Sequence, residues 1–164
     1  MAKVNLSLLV DNSAGVLMRI AGLISRRGFN IDSLAVGECE TESISRITIA
    51  VDCDELIIEQ MIGQLSKLLC VKKISVLQKN ESISRELVIV KVSSGVNERS
   101  EIMQICDIFN ARIVDVTKES VTIEITGELE KIDAFLNILT EHNIIEMART
   151  GIVSLQRGRK TIYD

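Results

Sequence analysis

The pattern of hydrophobic residues passes through the same series of strand and helix signals twice, and this duplication restricts the fold more than any other feature. In the first half, apolar residues alternate over residues 4–10, as in a strand with one face on a core, and recur at helical spacing over residues 16–24. Strands are then predicted over residues 31–38 and 43–51, joined by a polar hairpin loop. A second helix precedes a strand over residues 71–77, so the order is βαββαβ.

The second half repeats that order after a polar, non-periodic stretch, residues 78–84, which we interpret as a linker. It contains a strand, a helix over residues 98–109, two strands, a helix over residues 130–141 and a final strand within residues 144–155. In a βαββαβ unit, antiparallel strands carry both helices on one face. The predicted fold is therefore α+β, with two tandem ferredoxin-like βαββαβ domains. The predicted domains are residues 1–77 and residues 85–164.

The sheet face opposite the helices has no covering layer in such a unit. A domain of this size buries only a modest part of its surface, so we expect the bare face to pack against the sister domain or another copy of the chain. The chain contains no proline, which is one of the residues that protects edge strands from pairing with another sheet. We therefore predict a homodimer.

Composition argues against nucleic acid or a membrane as a partner. A net charge of −4 and an aromatic content of 2% leave little to contact phosphates or to stack on bases. We interpret the basic stretch at residues 157–160 as a solvated end. No stretch approaches the roughly 18 consecutive apolar residues of a membrane span, and the first residues lack the pattern of a signal peptide. A cytoplasmic location is expected.

The sequence offers little for catalysis or metal binding. It has a single histidine, His142, placed at a predicted helix end where the helix dipole favours it. Neither a phosphate-binding G-x-x-x-x-G-K-[ST] loop nor a G-x-G-x-x-G turn is present. No C-x-x-C pair occurs among the four cysteines, which we interpret as ordinary thiols: Cys39, Cys53, Cys70 and Cys106. We predict no catalytic residue, no metal site and no cofactor on this chain.

The turn between the first strand and the first helix is the best candidate for a binding site. Gly15 lies where the strand becomes a helix, and the first amides of a helix have no partner within it, so they favour an anion. Asn12 and Asn30 each offer a donor and an acceptor. Because the turn itself contains no lysine or arginine, an amino-acid zwitterion fits better than a phosphate. Aliphatic neighbours for its side chain are Val16, Leu17 and Ile31.

A simpler interpretation of the same turn involves no ligand. Asn12 and Ser13 could cap the helix, and Gly15 could relieve crowding between the strand and the helix. The spacing of the residues does not decide between the two interpretations.

Several blocks of the sequence resemble, in order, the small, regulatory subunit of acetolactate synthase (acetohydroxyacid synthase). The longest is "LSLLVDNSAGVLMRIAGLISRRGFNIDSLAVG", and it is followed by "SRITIAV", "EQMIGQLSKLLCVKKI", "RELVIVKV", "ARIVDV", "GELEKIDAFLNIL" and "EMARTGIVSLQRG". The resemblance covers nearly the whole chain. It implies that the first domain is an ACT domain, an amino-acid sensor of ferredoxin-like fold, and that the second is the family's own C-terminal domain.

The resemblance also implies a function in branched-chain amino acid biosynthesis. Members dimerise and associate with a large catalytic subunit, which itself carries thiamine diphosphate, magnesium and FAD. The small subunit raises the activity of that enzyme and, in many members, confers feedback inhibition by valine. Effector sites of the family lie between two ACT domains, and the neighbouring chain supplies the asparagine that matches Asn30. The effector-site residues implied here are Asn12, Ala14, Gly15, Val16, Leu17, Asn30 and Ile31.

Two other classes of protein are compatible with paired ferredoxin-like domains. One is a stand-alone transcriptional regulator that responds to a small molecule, which the absence of a helix-turn-helix segment and of a basic surface disfavours. The other is a self-sufficient enzyme with its site between the domains, which the lack of catalytic groups disfavours.

Overall fold

A computed structural model describes the backbone of residues 2–95 and 97–164, with side chains described from residue 4 onward. The predicted first domain begins at residue 1, which lies outside the described residues. The chain divides into two compact units. The first contains the described residues up to Ser84 together with Ile152–Asp164, and the second is Arg85–Gly151.

The first unit has the predicted βαββαβ order. Its elements are β1 (Ala2–Asp11), α1 (Val16–Arg26), β2 (Ser33–Glu38), β3 (Ile44–Cys53), α2 (Glu55–Leu65) and β4 (Val71–Leu77). The four strands form one antiparallel sheet in the order β2-β3-β1-β4, which leaves β2 at one edge. The predicted limits of β4 agree with the structure, whereas β2 begins two residues later than predicted, at Ser33.

Both helices of the first unit pack on the same face of the sheet. Alternate residues of β1 point to this face, and residues of α1 and α2 join them in one buried cluster. The cluster includes Leu6, Leu8, Val10, Val16, Ile20, Ile24, Ile58, Met61 and Leu65. This is the core that the helical and alternating spacings predict.

The second unit repeats the arrangement, as predicted. Its elements are β5 (Ser82–Ser93), α3 (Arg99–Phe109), β6 (Arg112–Val116), β7 (Ser120–Gly127), α4 (Leu129–Leu139) and β8 (Ile144–Arg149). The strands are ordered β6-β7-β5-β8, and a separate core gathers alternate residues of β5 and β7 with one face of each helix. The predicted fold class, with two ferredoxin-like βαββαβ units, is confirmed.

Residues 78–84 form a shorter connection than predicted. A single 3-10 turn occupies Lys79–Glu81, and β5 already begins at Ser82. The hydroxyl of Ser82 donates to the carbonyl of Gln78 at 2.7 Å, which ties the start of the strand to the turn. Helix α4 also ends earlier than predicted, and the buried His142 follows it in a second 3-10 turn, with its Nε2 4.0 Å from Glu101 Oε2.

We call Ile152–Asp164 the return segment, because it follows the second unit in the chain but belongs to the first. The single strand predicted within residues 144–155 is in fact two, β8 and a short β9 (Val153–Gln156) that pairs with β5. Sequence assigned the return segment to a second domain at residues 85–164, since a strand pattern does not reveal which sheet a distant segment joins.

The return segment lies on the face of the first sheet that is opposite the helices. Asn5 Nδ2 donates to Ser154 Oγ at 3.2 Å, and Gln156 Nε2 donates to Ser75 Oγ at 3.4 Å. Asn5 and Ser75 both alternate with core residues of their strands. Part of the face predicted to be bare is therefore covered by the chain's own residues.

The basic stretch at residues 157–160 is more than a solvated end. Arg157 donates from its backbone amide to the carbonyl of Glu81 at 2.8 Å and from Nε to the carbonyl of Ser82 at 3.0 Å. Lys160 lies 3.9 Å from Glu81. The first arginine of the stretch thus fixes the return segment to the start of β5.

None of the helices in the described part of the chain is both long and apolar enough to cross a membrane.

Candidate functional site

Gly15 is required at the start of α1 by its backbone conformation. Its φ of 83° and ψ of −6° lie in the left-handed region, which glycine adopts without steric cost. A Cβ built at this position would meet no atom within 4 Å. The interpretation that Gly15 relieves crowding is therefore wrong, because the space beside it is open.

The first turn of α1 is not capped by any described side chain. The side chain of Asn12 turns away from the helix, and its Nδ2 donates to Glu38 Oε1 at 3.0 Å. Ser13 contributes only its carbonyl, which accepts a long bond of 3.3 Å from the amide of Val16. The alternative that Asn12 and Ser13 cap the helix is thus wrong. The helix start, which also lacks an acidic residue in its first turn, remains suited to an external anion.

The residues around this turn differ in their access to solvent. Residues 12–15 are exposed, and Leu17 is 43% exposed. Val16, by contrast, is 5% exposed and belongs to the core cluster of the first unit. The expectation that Val16 contacts a ligand side chain needs correction, because the helical period that places Leu17 outside turns Val16 towards the sheet.

Asn30 and Ile31 lie far from Asn12 and Gly15 within one chain. Glu38, at the end of β2, is close to Asn12. The start of β2 lies at the opposite end of the strands, where Ser33 pairs with Ala50. The helix between the two positions has 11 residues, or about 16 Å of length. A single chain therefore brings together Asn12, Ala14, Gly15 and Leu17, but not the other half of the predicted site.

The end of β2 and the loop that follows it add two contacts that the sequence did not reveal. The amide of Asn12 donates to the carbonyl of Ser43 at 2.6 Å, in addition to the bond from its side chain to Glu38. Ser43 itself has a φ of 66°, which is uncommon for a residue with a side chain. The polar residues of the loop mark a hairpin, but nothing in their order shows that the loop holds Asn12.

Two carboxylates lie near the turn. Glu38 places a carboxylate beside Asn12, and Asp11 is bound to Lys72 at 3.0 Å. A phosphate at the helix start would meet the Glu38 carboxylate beside Asn12. A zwitterion can instead place its carboxylate at the helix start and its ammonium at Glu38 or at the oxygen of Asn12.

The helix start of the second unit has a glutamate, Glu98, where the first unit has Gly15. A carboxylate oxygen of Glu98, the residue before α3, accepts from the amide of Gly95 at 2.7 Å. This bond holds the loop before α3, and no side-chain bond from Glu98 caps the first turn of the helix. The two units thus share a fold, and they differ in the residue at the helix start, which is Gly15 in the first unit and Glu98 in the second.

Two of the described cysteines have thiols with a raised pKa. Burial, followed by the charge of Asp107, raises the pKa of the Cys106 thiol to about 11, and burial is also the main cause that raises the pKa of Cys53. A thiol with a raised pKa is a poor nucleophile at neutral pH. Among the residues that the structure describes, no cluster of three or more potential metal ligands occurs.

Two protein-family models match the chain and coincide with the two halves. The AHAS small subunit-like ACT domain matches residues 6–73. The family described as small subunit of acetolactate synthase matches residues 85–158. The first unit, with its open strand-to-helix turn, is thus an ACT domain, and the chain is an ACT-domain protein.

Full-length relatives narrow this class further. The probable acetolactate synthase small subunit of Methanothermobacter thermautotrophicus is 48% identical over 158 residues, covering 96% of this chain and 94% of that protein. The acetolactate synthase small subunit of Mycobacterium leprae is 45% identical over 157 residues, covering 96% and 93%. A crystal structure of the small subunit from Thermotoga maritima superposes with a TM-score of 0.91 at 40% identity, covering 98% and 100%.

The chain belongs to the family of acetolactate synthase small subunits. The predicted resemblance is confirmed, and with it the assignment to a small, regulatory subunit of an enzyme for branched-chain amino acid biosynthesis. This assignment takes precedence over the transcriptional regulator and the self-sufficient enzyme.

Proposed function

We propose that this chain is a cytoplasmic, non-catalytic regulatory subunit that binds valine between two ACT domains and thereby adjusts the activity of a large catalytic subunit. The observation that carries the proposal is the uncapped, exposed start of α1 at Gly15. Thiamine diphosphate, magnesium and FAD belong to the catalytic partner in this proposal. The small subunit activates that partner, and valine reduces the activation.

Each part of valine has a matching group on the chain. The amides of the first turn of α1 receive the carboxylate, since the helix dipole and the unbonded donors favour negative charge there. Glu38 and the oxygen of Asn12 accept from the ammonium. The exposed Leu17 offers an aliphatic surface for the isopropyl group.

The second half of the site comes from another copy of the chain. Because β2 is an edge strand of a sheet without proline, two copies can pair along it, and Asn30 and Ile31 just precede this strand. Pairing of this kind brings residues from the start of one β2 towards the partner chain. A site shared by two chains lets the ligand bind one dimer geometry better than another.

This difference in affinity is what transmits the signal. A ligand shifts an equilibrium only by as much as it favours one state, and coupling free energies of about 1–3 kcal/mol are typical of allosteric proteins. Such a coupling changes the affinity or activity of the partner by roughly 5- to 150-fold.

The substitutions Gly15→Asp and Gly15→Asn test the site as a matched pair. The two side chains have similar size, and both residue types tolerate the left-handed conformation, so the pair differs mainly in charge. We expect Gly15→Asn to weaken valine binding and Gly15→Asp to weaken it at least tenfold further, because the added carboxylate competes for the same amides. Isothermal titration with valine measures both affinities.

Activation of the purified large subunit by the same variants completes the test. We expect both variants to activate it, while feedback by valine is lost with Gly15→Asp. Thermal unfolding of each variant controls for folding. Equal valine affinity in Gly15→Asp and in the unsubstituted protein would contradict the proposed site.

A further inference from the structure

The last residues of the return segment form a compact turn that closes on itself. Asp164 Oδ2 accepts from the amide of Thr161 at 2.6 Å and from its hydroxyl at 3.1 Å. These bonds, the backbone one first, lower the pKa of the Asp164 carboxyl, which favours its ionised form. Ile162, inside the turn, is 8% exposed and anchors it. The turn therefore holds the neighbouring Tyr163 in a defined position.

Tyr163 extends from this turn to the loop between β2 and β3. Its hydroxyl donates to Glu40 Oε1 at 2.8 Å and lies 3.5 Å from Thr41 Oγ1. Its carbonyl accepts from Lys73 Nζ at 3.2 Å, so β4 fixes the other end of the residue. The pKa of Glu40 is lowered by a hydrogen bond from its own backbone and next by the Tyr163 hydroxyl, which keeps the acceptor ionised.

The loop that Tyr163 contacts is also the loop that holds Asn12. Glu40 and Thr41 lie between Glu38 and Ser43, which bind the side chain and the amide of Asn12. Ser43 is in the left-handed region, a conformation that persists only when its surroundings enforce it. Contacts on both sides of the loop, from Tyr163 and from Asn12, supply that constraint.

We infer that Tyr163 is a positioning residue, which holds the β2–β3 loop through Glu40 and thereby fixes Asn12 beside Gly15. The inference deepens the proposed function, because Asn12 belongs to the proposed valine site. It assigns a role in effector binding to a residue far from that site in sequence. In this inference, the return segment helps to hold the binding turn of the ACT domain in place.

The substitution Tyr163→Phe removes the hydroxyl and keeps the ring. We expect the amide of Asn12 to exchange with solvent about three- to tenfold faster in this variant, the effect of losing one hydrogen bond that restrains the loop. Amide exchange measured by NMR reports this directly, since the Asn12 amide is bonded to Ser43. Amides in the middle of β3, in the same unit but outside the loop, serve as an internal reference for general loss of stability.

Two further variants sharpen the test. Glu40→Ala should accelerate exchange at Asn12 to a similar extent, and the double variant with Tyr163→Phe should be no faster than either single variant. Lys160→Ala is the matched control in the return segment, because its contact with Glu81 is exposed and 3.9 Å long. It should leave exchange at Asn12 unchanged.

Valine titration of the same variants separates this inference from the proposed function. We expect Tyr163→Phe to weaken valine binding by a similar factor. If the unsubstituted protein binds no valine but Asn12 exchanges faster in Tyr163→Phe, the proposed function fails and the positioning role stands. If Asn12 exchange in Tyr163→Phe equals that of the unsubstituted protein, or if amides in the middle of β3 accelerate equally, the positioning role is contradicted.

Discussion

At the scale of single residues, a buried carboxylate in the second unit depends on one partner. Glu86 is 3% exposed, and Arg149 donates to it through Nε at 2.9 Å and through a terminal nitrogen at 2.6 Å. The hydrogen bond to Glu86 is the main cause that raises the pKa of Arg149. A charge at this depth is tolerated because the two-point contact replaces its hydration.

Removal of this partner should destabilise the second unit. We expect Arg149→Ala to lower the free energy of unfolding by about 3 kcal/mol, because it leaves the Glu86 carboxylate buried without a counter-charge. Arg112→Ala is the control, since Arg112 is 80% exposed and 3.7 Å from Glu124, and its loss should cost less than about 1 kcal/mol. Urea unfolding followed by circular dichroism measures both. Similar costs for the two variants would contradict this account of Glu86.

Sequence predicted the role of some single residues better than others. The place of Gly15 between a strand and a helix indicates a special residue. Its positive φ shows that the backbone conformation, and not a lack of space for a side chain, requires glycine there. Val16 was assigned both to the core face and to the site, although the spacing to Ile20 and Ile24 already indicated the core. The contact of Asn12 with Glu38 was not predictable, because it depends on how β2 and β1 lie in the folded sheet.

At the scale of elements, the end of α1 shows how local sequence fixes a helix boundary. Gly28 has a φ of 70°, its amide donates to Ser25, and the amide of Phe29 donates back to Ile24. These two bonds are the pattern in which a left-handed residue satisfies the last carbonyls of a helix. Gly28 therefore ends α1.

Alanine substitutions at two glycines should have opposite effects on stability. Gly28→Ala should cost about 1 kcal/mol, because alanine is strained in the left-handed conformation. Gly63→Ala, in α2 and with open space beside it, should stabilise by about 0.5–1 kcal/mol through higher helix propensity. Thermal unfolding of the two variants gives the sign of each change. A stabilising Gly28→Ala would show that the helix does not end as described.

Elements with a clear period were predicted well, and the connections between them were not. The strands and helices of both cores follow from alternation and helical spacing, since these patterns record which face is buried. The sequence pattern did not predict that β8 and β9 are separate strands, nor that the return segment packs on the first unit. Both depend on contacts between residues distant in sequence, for which a local pattern carries no information.

At the scale of the whole molecule, the chain completes its first unit with residues that come last in the sequence. The return segment contacts β1, β4 and the β2–β3 loop, all within the ACT domain. The proposed effector site is completed in turn by a second copy of the chain. Regulation in this proposal is therefore a property of the dimer, because one chain alone brings together only the half of the site that contains Asn12 and Gly15, without Asn30 and Ile31.

Complementation between two variants that are each expected to lose valine binding tests this central claim most directly. In a dimer of one Gly15→Asp chain and one Asn30→Ala chain, one shared site carries both substitutions, and the other has an unsubstituted Gly15 and an unsubstituted Asn30. Isothermal titration of the purified mixed dimer should therefore recover valine binding of nearly full affinity at one site per dimer, while neither parent homodimer binds. A mixed dimer that binds no valine, or a Gly15→Asp homodimer that binds it normally, would contradict a site shared between two chains.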